Sequence, residues 1–298
     1  MPAEPAAIPA TAAKECQVNG IRMLDTSHGS LAVRDTGPGG FPVLMIHGNS
    51  SSGAIFRNQM SGALGRKFRL VAVDLPGHGD SANALVPERS YRMEGYAEAM
   101  TEALGLLGIE RAGVFGWSLG GHIGLEMISR YEGLAGLMIT GTPPVNGGTV
   151  GEGFVPSPHM ALAGKETCTP EEIESYARHT CGEPFEPFLR DVVARTDGRA
   201  RRLMFEAFVA GTGDDQEAIV ARSRVPLAVV NGADEPFVNL AHVRRLPYAN
   251  LWEGRSIEIA GSGHAPFWDA PSAFDPIFER FFSGLAPERE GEGKSAAA

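Results

Sequence analysis

Apolar residues fall along this chain in two alternating rhythms. Short continuous apolar runs at 31–34, 43–46, 70–73, 114–117, 137–140, 227–230 and 257–260 read as strands. Between them lie stretches of helical spacing. Residues 93–107 put Met93, Tyr96, Ala97, Met100, Leu104 and Leu107 on one face, and 119–130 and 273–282 repeat the pattern. Strands apolar on both faces belong to a parallel sheet that helices cover on both sides. The expected fold class is therefore α/β, with a mostly parallel central sheet. From 143 to 224 the alternation stops, and 161–164, 170–181, 187–196 and 199–209 are all helical in pattern. This segment is expected to be a helical cap inserted over the sheet. The core is then 21–142 plus 225–285, and the cap is 143–224. The Ala/Pro-rich lead, 1–20, and the charged, then Gly/Ala-rich tail, 286–298, are expected to be disordered.

Composition narrows the possible partners. The chain has 298 residues and a formal net charge of −10, which argues against nucleic acid or an anionic membrane surface. It contains no run of 18 apolar residues and no basic, apolar leader pattern, so no membrane span or signal peptide is expected. Cys16, Cys168 and Cys181 are too few and too scattered for a disulfide framework, and a cytoplasmic setting is expected. No metal-ligand spacing and no dinucleotide-binding glycine loop is present, so no metal and no cofactor is expected. Oligomeric state is not legible.

The chemistry concentrates in Gly116-Trp117-Ser118-Leu119-Gly120. A strand-like run precedes this G-x-S-x-G pattern and a helical run follows it, the arrangement of a nucleophile elbow. Gly116 and Gly120 flank Ser118 where a Cβ would clash as helix and strand cross. Serine needs a base, oriented by an acid. His264 is the one histidine on a glycine-rich loop after the last strand, downstream of an acid. His47 and His78, in turns near strand ends, read as structural. His122 reads as a packing or hydrogen-bonding residue. His28, His159, His179 and His242 have no motif around them. The acid belongs after 227–230, where Asp234 and Glu235 are adjacent, and the residues alone leave the choice open. Two oxyanion donors are needed. One is the backbone N–H of Leu119. The other belongs to the loop His47-Gly48-Asn49-Ser50-Ser51-Ser52-Gly53, where Asn49 can add its side-chain amide.

Together with Asp74-Leu75-Pro76-Gly77-His78-Gly79-Asp80-Ser81, these segments resemble the α/β-hydrolase superfamily over roughly residues 26–285. That family places its acid three residues after the glycine ending the strand. Counted from Gly232, the resemblance selects Glu235. A closer likeness involves the 47–53 loop, Ser175-Tyr176-Ala177-Arg178 with Thr180-Cys181-Gly182-Glu183-Pro184-Phe185, and Asn231-Gly232 with Asp234-Glu235-Pro236-Phe237-Val238. These resemble the metal-independent N-acyl-homoserine lactonases. The resemblance implies a triad of Ser118, Glu235 and His264. It implies an oxyanion hole from Asn49 and Leu119, and substrate contacts at Asn49, Trp117 and Tyr176. The implied partner is a small acyl lactone. The alternatives are a general carboxylesterase or carbon–carbon bond hydrolase on the same fold, and a non-catalytic ligand sensor.

Overall fold

The computed structural model describes residues 17–18 and 20–286. Nine strands form one sheet in the order β1-β2-β3-β5-β4-β6-β7-β8-β9. They are β1 (Gln17–Val18), β2 (Ile21–Thr26), β3 (Gly29–Asp35), β4 (Pro42–Ile46), β5 (Arg69–Val73), β6 (Ala112–Trp117), β7 (Leu134–Thr140), β8 (Leu227–Gly232) and β9 (Ile257–Ile259). The β1–β2, β2–β3 and β3–β5 pairings are antiparallel, and every pairing from β5 to β9 is parallel.

The parallel strands are buried on both faces, as their continuous apolar sequences require. Side chains alternate between two cores. Val43, Met45, Phe115, Trp117 and Met138 face one side. Leu44, Ile46, Val114, Leu137 and Ile139 face the other. The longer helices are α1 (Met93–Leu106), α2 (Leu119–Met127), α3 (Pro170–Cys181), α4 (Pro187–Arg195), α5 (Gly198–Val209), α6 (Gln216–Arg222) and α7 (Pro271–Ser283). Helices α1 and α2 close the second core, whereas α7 brings Phe274, Phe278, Phe281 and Phe282 into the first.

Between β7 and β8 the described chain is helical, holding α3 to α6 and a 3₁₀ turn at Met160–Gly164. Helix α3 opens on a capping box. Thr169 accepts from Glu172 N–H while the Glu172 side chain accepts from Thr169 N–H. With Pro170 at the first helical position, this is why the sequence marks that boundary so clearly.

The structure differs from expectation at several edges. Strands β1 and β2 lie outside the expected set. Gln17 and Val18 pair with Arg22 and Ile21, so the sheet begins inside the expected lead. The rest of the lead and tail lies outside the described residues, except Gly20 and Ala286. Helix α2 stops at Met127, and Ile128 and Arg130 N–H turn back to Leu125 and Met127 carbonyls. Arg57–Ser61, Ala63–Lys67, α6 and Leu240–Arg245 are helices without an expected counterpart. Among the described residues no helix is long and apolar enough to cross a membrane.

Candidate active site

Ser118 sits in the turn between β6 and α2 with φ 54° and ψ −117°, in the left-handed region that an L-residue rarely adopts. Tight crossing forces this turn. A Cβ on Gly116 would stand 2.2 Å from the Gly120 carbonyl oxygen, and one on Gly120 would stand 2.1 Å from that of Ile46. Hydrogen bonds hold the elbow from both sides. Ser118 N–H donates to the Thr140 carbonyl (2.8 Å), and Thr142 Oγ1 donates to the Ser118 carbonyl (2.8 Å).

His264 lies on the loop after β9, with its side chain 4 % exposed. Its Nδ1 donates to both carboxylate oxygens of Glu235, at 2.9 and 2.8 Å. The carboxylate is itself fully buried, and its Oε1 also accepts from Phe237 N–H (2.9 Å). Asp234 is exposed and meets the His264 loop only through its backbone, whose N–H donates to the Ser262 carbonyl. Of the two adjacent acids, then, Glu235 carries the side chain on the imidazole. Trp117 and Phe237 pack on the ring at centroid distances of 5.7 and 4.9 Å. A Cβ on Gly141 would come within 2.6 Å of its Cε1. With Nδ1 held by Glu235, Nε2 is the nitrogen left to exchange a proton.

Ser118, His264, Asn49, Leu119 and Tyr176 line one cavity. The cavity is partly open to solvent. Aromatic and methionine side chains dominate its walls, among them Phe154, Met160, Met204, Phe205 and Phe208. No lysine or arginine is among the lining residues.

Leu119 is the first residue of α2, where a helix leaves its N–H without an intrahelical acceptor. Asn49 reaches the cavity, and its side-chain amide also holds the loop in place. Nδ2 donates to the Ala163 carbonyl in the 3₁₀ turn (2.8 Å), and Oδ1 accepts from Ser50 Oγ. The side chain therefore ties the loop to the helical segment with one of the two N–H groups of its amide, and the second is left to donate. Arg201 makes a second tie, donating to Ser50 Oγ and to the Lys165, Glu166 and Val193 carbonyls. Ser50 has φ 56°. Asp74 braces the same loop from below, accepting from Gly53 N–H (2.7 Å) and from Arg34 (2.8 Å).

Trp117 is not among the residues lining this cavity. Its side chain is fully buried and its Nε1 donates to the His264 carbonyl (2.9 Å), which makes it a brace for the His264 loop. Strand alternation explains this: Trp117 points with Phe115 into the core on the α7 side, while Ser118 leaves the strand. Tyr176, on α3, does line the cavity, and burial pushes its hydroxyl pKa well up.

The other histidines divide clearly. His47 Nδ1 donates to the Gly48 carbonyl while its Nε2 accepts from Leu75 N–H. His78 Nδ1 donates to the Pro76 carbonyl. Burial lowers their pKa values to about 4 and about 3, so both are neutral fixtures of tight turns. Two contributors escaped the sequence reading. Asp269 accepts from Ser262 Oγ and Gly263 N–H (2.8 Å), which fixes the two residues before His264. His122 lines the cavity, a placement that its spacing of four residues from Ser118 on one helix could have signalled. Among the described residues, no group of three or more His, Cys, Asp or Glu side chains could hold a metal ion.

The fold has known counterparts. The alpha/beta hydrolase family profile matches residues 43–276. The structure of the N-acyl homoserine lactonase AidH complexed with N-butanoyl homoserine is 56 % identical, with a TM-score of 0.88. The alignment covers 93 % of this chain and 99 % of that one. An AidH mutant complexed with N-hexanoyl homoserine lactone is 58 % identical at the same TM-score, over 89 % of this chain and 98 % of that one. An esterase from Rhodococcus sp. shares the fold at 23 % identity and TM-score 0.73, over 90 % of this chain and all of that one. The chain belongs to the α/β-hydrolase family.

Proposed function

We propose that this protein is a serine hydrolase that opens the lactone ring of N-acyl-homoserine lactones. The observation that carries the reading is its 56 % identity to AidH over nearly the full length of both chains, at a TM-score of 0.88. The Glu235–His264 pair and Ser118 beside one apolar cavity support it. In this reading His264 Nε2 takes the Ser118 proton as Oγ attacks the lactone carbonyl. The backbone N–H of Leu119 and the second N–H of the Asn49 amide receive the oxyanion. Collapse breaks the ring C–O bond, and His264 returns the proton to the departing alkoxide. Water then attacks the acyl-serine with His264 again as base, and Ser118 is regenerated. Glu235 holds the imidazole in the tautomer that both steps need. The helical segment between β7 and β8 serves as a cap, with its apolar side chains against the acyl chain and Tyr176 on α3 against the substrate.

The alcohol released by ring opening stays on the same molecule, so the product is one N-acyl-homoserine. Mass spectrometry after incubation with N-butanoyl and N-hexanoyl homoserine lactones tests this. Ring opening adds the elements of one water to an intact molecule. Release of free homoserine lactone would show amide cleavage and overturn the reading. Turnover should survive exhaustive chelation, because the route uses only Ser118, His264 and Glu235. Loss on chelation with recovery on added zinc would refute it.

A further inference from the structure

His122 stands in the wall of the cavity four residues beyond Ser118 on α2, about 6 Å farther along the helix. It is a polar group in an apolar stretch. The Phe208 ring lies 4.8 Å from it and the Phe154 ring 6.2 Å. Nδ1 meets Gln216 Oε1 at 2.8 Å. An amide oxygen only accepts, so Nδ1 carries the hydrogen and Nε2 carries the lone pair. Nε2, on the far side of the ring from Gln216, has no partner among the described residues, although His122 is only 4 % exposed. Burial lowers the pKa of the imidazole to about 4, so the ring keeps its lone pair at neutral pH. An acceptor in a cavity wall that no protein donor meets is a place for a ligand donor.

Resting on the lactonase reading, we infer that His122 determines acyl-chain specificity by accepting a hydrogen bond from a hydroxyl on the third acyl carbon. Reach selects that atom. The third acyl carbon is five bonds from the lactone carbonyl carbon. At about 1.2 Å of extended length per bond this is about 6 Å, the rise from Ser118 to His122. The amide nitrogen is only two bonds away, about 2.4 Å, and falls short of the next helical turn. A 3-oxo group at the same carbon presents lone pairs to a lone pair. A plain methylene leaves Nε2 unmet. The expected order of kcat/KM is therefore hydroxy above unsubstituted above oxo.

The test compares N-hexanoyl, N-(3-hydroxyhexanoyl) and N-(3-oxohexanoyl) homoserine lactones on the wild type, His122→Phe and Gln216→Leu. The wild type should favour the hydroxy over the oxo substrate by about tenfold or more, the scale of one satisfied against one opposed polar contact. His122→Phe should bring that ratio towards one, whatever it does to the rate shared by all three. Gln216→Leu should narrow the ratio too, because without the Gln216 oxygen the ring can turn an N–H to the ligand. A purely structural role would lower all three rates together and leave the ratio intact. A wild-type ratio near one, or one that survives both substitutions, overturns the inference. If the wild type hydrolyses none of the three, the lactonase reading fails instead. Calorimetric binding of the three lactones to Ser118→Ala then decides on His122, and equal affinities overturn its role.

Discussion

Ser118 holds a backbone conformation, φ 54°, that costs an L-residue on the order of 1–3 kcal/mol. Its side chain caps nothing, since Ser118 makes no side-chain capping bond to α2. Activity and stability should therefore part company in Ser118→Gly. Turnover should fall by about 10⁴-fold or more. The melting temperature should rise, because glycine accepts this φ without strain. A variant that keeps near-normal turnover would remove Ser118 from the nucleophile's role. The adjacent acids offer a second separation. Glu235→Gln places an amide against His264 Nδ1 and should lower kcat by orders of magnitude. Asp234→Asn alters an exposed side chain and should change kcat less than twofold. If the Asp234 variant were the inactive one, the orienting carboxylate would have to be reassigned.

At the scale of elements, the site is a meeting of loops at the C-terminal ends of β4, β6, β8 and β9, and each loop has its own brace. For the His264 loop the brace is Asp269, which holds Ser262 and Gly263. Asp269→Ala should lower kcat about tenfold or more with little change in KM, because it loosens the base and not the cavity wall. Asp269→Asn, which keeps one acceptor, should recover part of the loss. A change in KM alone would contradict this. Much of the arrangement is legible in the amino-acid sequence. Parallel strands declare themselves by unbroken apolar runs such as Val43-Leu44-Met45-Ile46, and the elbow by glycines two residues either side of Ser118. Helix α3 declares itself by Thr169, Pro170 and Glu172. What escaped has physical reasons. β1 and β2 belong to the antiparallel edge, where Ile21–Thr26 mixes exposed and buried positions and shows no continuous run. Asn49 reads as an amide donor, but nothing local in sequence shows that one of its two N–H groups binds Ala163, 114 residues away. Trp117 sits beside the nucleophile in sequence, yet strand alternation turns it into the core.

For the whole molecule, buried neutral histidines set the response to acid. Burial lowers His47 and His122 to about 4 and His78 to about 3. The unfolded chain binds protons at these positions from about pH 6.5 downward, while the folded chain refuses them until near pH 4 or below. Their contribution is thus complete above pH 6.5 and is lost as the pH falls. Glu126 opposes them: burial pushes its pKa up to about 7, so its contribution is largest in acid and fades as the pH rises through 7. Three groups outweigh one, and each pH step across a shifted pKa is worth up to about 1.4 kcal/mol. The urea midpoint should therefore fall between pH 7 and pH 5, and a midpoint that held or rose would contradict this. The make-up of the cavity lining bears on what leaves it. On the lactonase reading the substrate arrives uncharged and departs as a carboxylate, within walls that contain no lysine or arginine and a chain of net charge −10. An unpaired anion is costly in such surroundings. Chemistry here creates its own eviction force, and the product should be a poor inhibitor. The inhibition constant of N-hexanoyl homoserine at pH 7 should exceed the KM of its lactone by about tenfold or more, while the uncharged amide of the same ring-opened molecule should bind more tightly than the acid. Equal binding of acid and amide would mean that charge plays no part in clearing the site.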